Sequence, residues 1–243
     1  AQMRQAGKEN CMKILALDTS TSACSAAFWS DGVLQGDQFA EMARGQSEHL
    51  VPMIRSVLRD CSVTMQDMDM IAVSTGPGAF TGVRIGLATA RGLALASGLP
   101  LRGVTSLEAV AHGVPADERP DGGKGRGVLA LIDSKRDDVF TQLFDADLSP
   151  MSEPQALSPD DVIRYCQKYN LEVTLAGDAA ERMMDHGLSG AGVHARPSSS
   201  RHPQAAVIAA VASGRGLPTP DDASPAPLYL RPPDVKVRAD GGR

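Results

Sequence analysis

One glycine-rich run, Ser74-Thr75-Gly76-Pro77-Gly78-Ala79-Phe80-Thr81-Gly82-Val83-Arg84-Ile85-Gly86, comes nearest to a binding device in its residue types. Backbone amides at a helix N-terminus can hold a phosphate, and glycines let a ligand approach the main chain. The same residues also suit a tight strand-to-helix corner. Gly76 and Gly78 permit positive φ, Pro77 fixes a turn dihedral, and Gly82 and Gly86 let a helix press against a sheet. The run is neither a GxxxxGKS/T nor a GxGxxG loop, and no Lys follows it to meet a β- or γ-phosphate. Both readings stand at this point, with the corner favoured.

Asp18-Thr19-Ser20-Thr21 is the second candidate. A carboxylate followed by hydroxyls can contact a nucleotide phosphate, or can form an Asx or Ser/Thr turn that satisfies local amides; the turn is favoured. Leu175-Ala176-Gly177-Asp178 is the one candidate for a second phosphate loop, and its single Gly is a weak signal. For metal chemistry a helix would carry two His at i and i+4, but His49, His112, His186, His194 and His202 are isolated in sequence and read as solvated or capping residues. No GxSxG elbow is present, and no motif pairs a Cys with a His. Neither a catalytic residue nor a metal ligand is assigned.

The elements that must position these residues follow from periodicity. Lys13 to Leu17 and Ala23 to Trp29 read as strands, and Asp31-Gly32 turns the chain into a third, Val33 to Phe39. Leu50, Ile54, Val57, Leu58 and Cys61 recur at helical spacing over Gln46 to Cys61. A buried strand from Met70 leads into the glycine run. Thr81 is expected to cap a helix whose apolar face, Val83, Leu87, Ala90 and Ala94, ends at Gly98-Leu99-Pro100. A strand at Leu101 to Val104 and a helix from Thr105 complete a meander-helix-strand-helix-strand-helix order. That is the order of a ribonuclease-H-like half, the repeating unit of the actin and sugar-kinase class. In that class Asp18 would lie in the first phosphate-contacting hairpin.

Residues 115–126 read as a Gly- and Pro-rich linker between halves. The second half is a partial echo: a strand at Gly127 to Asp133, a return at Val139 to Phe144, a helix launched by Ser158-Pro159-Asp160-Asp161, a strand at Glu172 to Ala176, and an Ala-rich helix from His202 to Arg215. The expected division is an N-terminal domain at 12–112, a linker at 113–126, a reduced C-terminal domain at 127–218, and a Pro-rich tail at 219–243. Residues 1–11 are polar and are expected to be a disordered extension, with neither signal peptide nor membrane anchor.

The chain has 243 residues, 42% hydrophobic, which suffices for a core without staples. Four scattered cysteines form no framework and suggest reduced thiols in a cytoplasmic protein. A net charge of −5 and 4% aromatic content argue against this chain gripping tRNA alone.

Five segments together resemble the TsaB (YeaZ) family. The glycine run looks like that family's TGPGxFTGxRIG hallmark, with Thr75, Gly76, Pro77, Gly78, Phe80, Thr81, Gly82, Arg84 and Gly86 in register. Ile14 to Thr21, containing Asp18, Thr19 and Ser20, is similar to its ILxxDTST opening, and Gln46 to Ile54 to its HSExLLPxI helix. Thr105-Ser106-Leu107-Glu108-Ala109 and Pro227-Leu228-Tyr229-Leu230-Arg231 also fit. The resemblance implies two ribonuclease-H-like halves and a non-catalytic partner of a TsaD-like enzyme. It further implies support of a TsaE-like ATPase, in a system that transfers a threonylcarbamoyl group to N6 of adenosine 37 in tRNA. TsaD carries a paired-His metal motif that this sequence lacks. The family places the partner contact on the helices Gln46 to Cys61 and Gly82 to Ser97. Leu50, Met53, Ile54, Val57, Leu87, Ala90, Arg91 and Ala94 are the expected contact residues, and they would also form a homodimer when the partner is absent. No resident cofactor is expected, although weak nucleotide binding at a complex interface is compatible with the family; tRNA is met through the complex, and no membrane is involved. The alternative is an actin-like ATPase or small-molecule kinase using the Asp18 turn and the Gly76 loop, with an M22-type peptidase a distant third.

Overall fold

The structure is a computed structural model that describes residues 12–219 and 221–231. The extension expected at 1–11, and the tail beyond residue 231, lie outside the described residues.

The first sheet is a meander extended by two parallel strands. β1 (Ile14–Asp18) pairs antiparallel with β2 (Ala23–Ser30), which pairs antiparallel with β3 (Val33–Glu41). After α1 (Gln46–Asp60), β4 (Met70–Ser74) lies parallel to β1. After α2 (Phe80–Ser97), β5 (Leu101–Val104) lies parallel to β4, giving the order β3-β2-β1-β4-β5. α3 (Ser106–His112) follows, and its N-cap Thr105 accepts a hydrogen bond from the Glu108 amide.

The second sheet repeats the plan. β6 (Arg126–Asp133), β7 (Val139–Phe144) and β8 (Gln155–Leu157) form its meander. α4 (Pro159–Lys168) leads to β9 (Glu172–Ala176), and α5 (Ala180–Asp185) to β10 (His194–Pro197), before α6 (Ala205–Arg215). Read from β8, its order β8-β7-β6-β9-β10 matches the first sheet strand for strand, with parallel β6·β9 and β9·β10 pairs. The fold is two ribonuclease-H-like halves. What is reduced in the second is its outer helices: α4 has ten residues and α5 six, against fifteen in α1 and eighteen in α2.

Alternation along the central strands splits the core into layers. Leu15, Leu17, Ile71 and Val73 face α1 and α2, meeting Leu50, Ile54, Val57, Val83, Leu87 and Ala90. Ile14, Ala16, Met70 and Ala72 face the other way, onto Ile208, Ala209 and Ala212 of α6. Thus α6, which follows the second sheet in sequence, packs on the first. α3 crosses the other way, with Leu107, Val110 and Ala111 against Val128, Ala130 and Ile132 of β6. Each fully buried Leu or Ile contributes about 1.5–3 kcal/mol, so these two exchanged helices tie the halves together.

The 115–126 segment is fastened to the second sheet. The Glu118 carboxylate accepts from the Ser198 hydroxyl and the Ser199 amide, and its carbonyl accepts from Thr174 and Arg196. No helix among the described residues is long and apolar enough to cross a membrane.

Candidate functional site

The β1–β2 turn and the glycine run fold onto each other. A Cβ built on Gly78 would lie 2.0 Å from the Ser20 carbonyl oxygen, and one on Gly82 would lie 2.1 Å from that of Thr19. A Cβ on Gly86 would meet Thr19 Oγ1 at 2.8 Å. The three glycines therefore open a bed for the Thr19-Ser20 backbone. The Ala79 amide donates to the Ser20 carbonyl at 2.8 Å, and Thr19 Oγ1 donates to the Gly82 carbonyl at 2.7 Å. The start of α3 locks the corner from the other side: Ser106 Oγ donates to Ser20 Oγ, and the Ser106 amide to the Gly76 carbonyl, both at 2.8 Å. This is the corner reading in atomic form. Thr81, expected to cap the helix, is instead exposed within its first turn, because α2 begins two residues earlier than expected, at Phe80, with Ala79 at its N-cap and no side-chain cap.

Asp18 is fully buried at the end of β1. Its Oδ1 accepts from the Ser20 amide at 3.1 Å and from Ser20 Oγ at 2.7 Å, which is the Asx turn. Oδ2 has no hydrogen-bond partner, and neither has the nearby Ser74 hydroxyl. Burial pushes the Asp18 carboxyl up to about 6, against the opposing pull of its hydrogen bonds from Ser20. Burial also raises the Cys24 thiol to about 12, helped by the Asp18 charge, and the Cys166 thiol to about 11. These thiols are poor nucleophiles. His202 is not the solvated or capping residue expected: it is buried, its Nδ1 is 3.1 Å from Thr21 Oγ1, and burial holds its pKa below the usual imidazole range.

The expected contact residues divide sharply. Leu50, Ile54, Val57, Leu87 and Ala90 are buried in the core beneath the helices, so no partner reaches them in the folded chain. Met53 and Ala94 are half-buried against that core, and Arg91 is exposed. The face of α2 turned away from the sheet carries instead Ala88, Gly92, Leu95 and Ala96, with Leu95 88% exposed; α1, packed beside it, exposes Val51.

The segment 225–231, expected to be part of a Pro-rich tail although Pro227 to Arg231 carries part of the family resemblance, is ordered against the fold. It runs as a strap across both halves. The Pro225 carbonyl accepts from Arg91 at 2.6 Å, and the Leu228 amide donates to the Thr75 carbonyl at 2.8 Å. Tyr229 accepts at its hydroxyl from Arg84 Nε at 3.0 Å, and Arg231 reaches Ser134 and Asp138 on the β6–β7 turn. Between strap, glycine loop and β6–β7 turn lies a cleft of about 740 Å³. The sequence signal for it is the Tyr-Leu-Arg ending, an aromatic and a cation within an otherwise Pro-rich tail. Among the described residues, no three His, Cys, Asp or Glu side chains are placed to hold a metal ion.

This geometry has close counterparts. The TsaD family model, described as tRNA N6-adenosine threonylcarbamoyltransferase, matches residues 40–211. The chain is 34% identical over 180 residues to the Escherichia coli tRNA threonylcarbamoyladenosine biosynthesis protein TsaB, covering 72% of this chain and 75% of that one. The chain belongs to the TsaB (YeaZ) family. A Pseudomonas aeruginosa protein described as similar to peptidase YeaZ superposes with a TM-score of 0.71 at 29% identity, over 90% of this chain and all of that one. An uncharacterized Mycobacterium tuberculosis protein is 31% identical over 238 residues, 93% of this chain and 95% of its own. The family acts in tRNA threonylcarbamoyladenosine biosynthesis.

Proposed function

We propose that this chain is the non-catalytic subunit that docks a TsaD-like enzyme through the outward face of α1 and α2. The observation that carries the reading is the composition of α2. Its inner face, Val83, Leu87 and Ala90, fills the core, while its outer face presents Ala88, Gly92, Leu95 and Ala96 beside the exposed Arg84 and Arg91. Exposed apolar residues rimmed by charged ones are the composition of a protein contact surface. Small residues on that face allow a partner helix to approach closely, and Leu95 and Val51 supply the apolar centre such an interface needs. Stable interfaces bury about 1,600 Å² in total, a size that two helices of fifteen and eighteen residues can offer. Without the enzyme, the same face pairs two copies of this chain about a twofold axis.

In this reading the chain holds no resident cofactor and performs no bond-making step. It positions the TsaD-like enzyme and helps a TsaE-like ATPase engage it, in the cytoplasm, while the assembly transfers threonylcarbamoyl to N6 of adenosine 37 in tRNA. The raised pKa values of Asp18, Cys24 and Cys166 arise from burial without an access path, which suits a structural role. The test is reconstitution. Purified TsaD-like and TsaE-like proteins, a threonylcarbamoyl-adenylate source and unmodified tRNA are assayed for modified adenosine with and without this chain. The reading expects modification to depend on the chain; equal modification without it refutes the reading.

A further inference from the structure

The cleft under the strap has a composition unlike the rest of the molecule. The chain carries a net charge of −5, yet Arg84, Lys135, Arg136 and Arg231 line this cavity, with no Asp or Glu among its lining residues. The chain has five Phe and three Tyr, and Phe80, Phe140 and Tyr229 are three of those eight. Two of the rings remain accessible: Phe80 is 50% exposed and Tyr229 48%.

These groups are pre-positioned. The Arg84 guanidinium lies 3.6 Å from the Phe80 ring centroid while its Nε bonds the Tyr229 hydroxyl, and the two rings sit 5.6 Å apart. No carboxylate lies within ion-pair distance of Arg84 among the described residues, so its charge is uncompensated. A guanidinium stacked on a ring keeps its remaining N–H groups in a fixed fork, suited to phosphate oxygens. Lys135 pairs with Asp133 at 3.0 Å and Asp178 at 3.8 Å, and Arg231 with Asp138 and Ser134, carboxylates that are not among the residues lining the cavity.

We propose that this cleft binds an unpaired nucleotide of an RNA strand, its base against Phe80 and Tyr229 and its phosphate on Arg84, Lys135 and Arg136. Paired aromatic platforms and cations are the recognition chemistry of single-stranded nucleic acid, whereas an acidic peptide needs the cations and has no use for exposed rings. A volume of about 740 Å³ exceeds what a bare phosphate requires and admits a whole nucleotide. The inference goes with the proposed role in a tRNA-modifying assembly, giving the chain a direct hold on the substrate instead of one made only by its partner.

The test uses the full chain alone, so that it does not depend on the docking face. Binding of a fluorescein-labelled ten-nucleotide single-stranded RNA is followed by anisotropy, with AMP as a competing free nucleotide. The expected result is saturable binding whose log K falls with log salt at a slope of about −0.7, for one phosphate held on a single strand. Arg84→Ala should weaken binding and flatten that slope. Phe80→Ala or Tyr229→Ala should weaken binding about tenfold, while Tyr229→Phe, which keeps the ring, stays within about threefold. Unfolding midpoints within about 3 °C of the parent show that the variants fold. AMP competing as strongly per site as the strand assigns the pocket to free nucleotide; AMP competing weakly assigns it to RNA. Absence of binding by both, or binding that none of these substitutions alters, overturns the proposal. Leu95→Glu should leave RNA binding unchanged, so loss of partner docking and loss of this site are separately visible.

Discussion

Alanine placed at two glycines of the same helix should move stability in opposite directions. At Gly92 an added Cβ meets nothing within 4 Å, and the site is an exposed helix interior. Gly92→Ala should therefore stabilise by about 0.5–1 kcal/mol, the helix-propensity and unfolded-chain entropy gain. At Gly82 the same methyl would sit 2.1 Å from the Thr19 carbonyl oxygen, so that turn and helix must separate by about 1 Å. Overpacking of this kind costs about 1–3 kcal/mol. Separation also breaks the buried hydrogen bond from Thr19 Oγ1 to the Gly82 carbonyl, worth about 1 kcal/mol. After the propensity gain is subtracted, Gly82→Ala should destabilise by about 1–3.5 kcal/mol. For a chain of this size that lowers the unfolding midpoint by about 2–14 °C, whereas Gly92→Ala raises it by about 1–4 °C. Calorimetry or urea unfolding of both variants beside the parent reads the difference directly. If Gly82→Ala is neutral or stabilising, the glycine run does not exist to bed the β1–β2 turn, and its conformation must have another cause.

Asp18→Asn should stabilise the protein in a pH-dependent way. The folded carboxyl titrates near 6 against 3.8 in the unfolded chain, so the native state binds more protons over that interval and stability falls as pH rises through it. The asparagine removes that penalty, and its amide can donate to the unpartnered Ser74 hydroxyl. A gain of about 1–3 kcal/mol at pH 8 that vanishes near pH 4 is expected from urea unfolding at the two pH values; a gain independent of pH contradicts the burial argument. Ala90→Glu should fail to fold or lose more than about 4 kcal/mol, because Ala90 is fully buried and the new charge has no partner, and far-ultraviolet circular dichroism checks it.

The first half was legible in the sequence because its signals are local. The Asp31-Gly32 turn, the Thr105 cap and the Gly98 stop all sit where the structure uses them. The second half was read for β6, β7, α4 and β9, the elements with strong runs or caps. β8, with three residues, α5, with six, and β10, an edge strand ending in Pro197, are too short or too exposed to show a period. The contact face went astray for a different reason. Helical spacing of Leu50, Ile54, Val57, Leu87 and Ala90 identifies a buried stripe, but a stripe does not say whether a sheet or another protein covers it. On α2 apolar residues lie on both faces, the outer one interrupted by Arg84 and Arg91, and only the three-dimensional structure separates the buried ones from the exposed. The Pro227 to Arg231 segment stands out in the sequence, but its role as a strap does not, because its anchors lie far away: Tyr229 on Arg84 and Arg231 on Ser134 are pairings without a local signature.

If the outward face of α2 is the docking surface, Leu95, its most exposed apolar residue, lies at its centre. The affinity of the Leu95→Glu variant for the purified TsaD-like enzyme, measured by isothermal titration calorimetry beside the parent chain, tests it most directly. The account predicts an affinity at least about a hundredfold weaker, as for a buried charge at an interface core, with an unfolding midpoint unchanged because Leu95 makes no core contact in the lone chain. An unchanged affinity in a folded variant contradicts it.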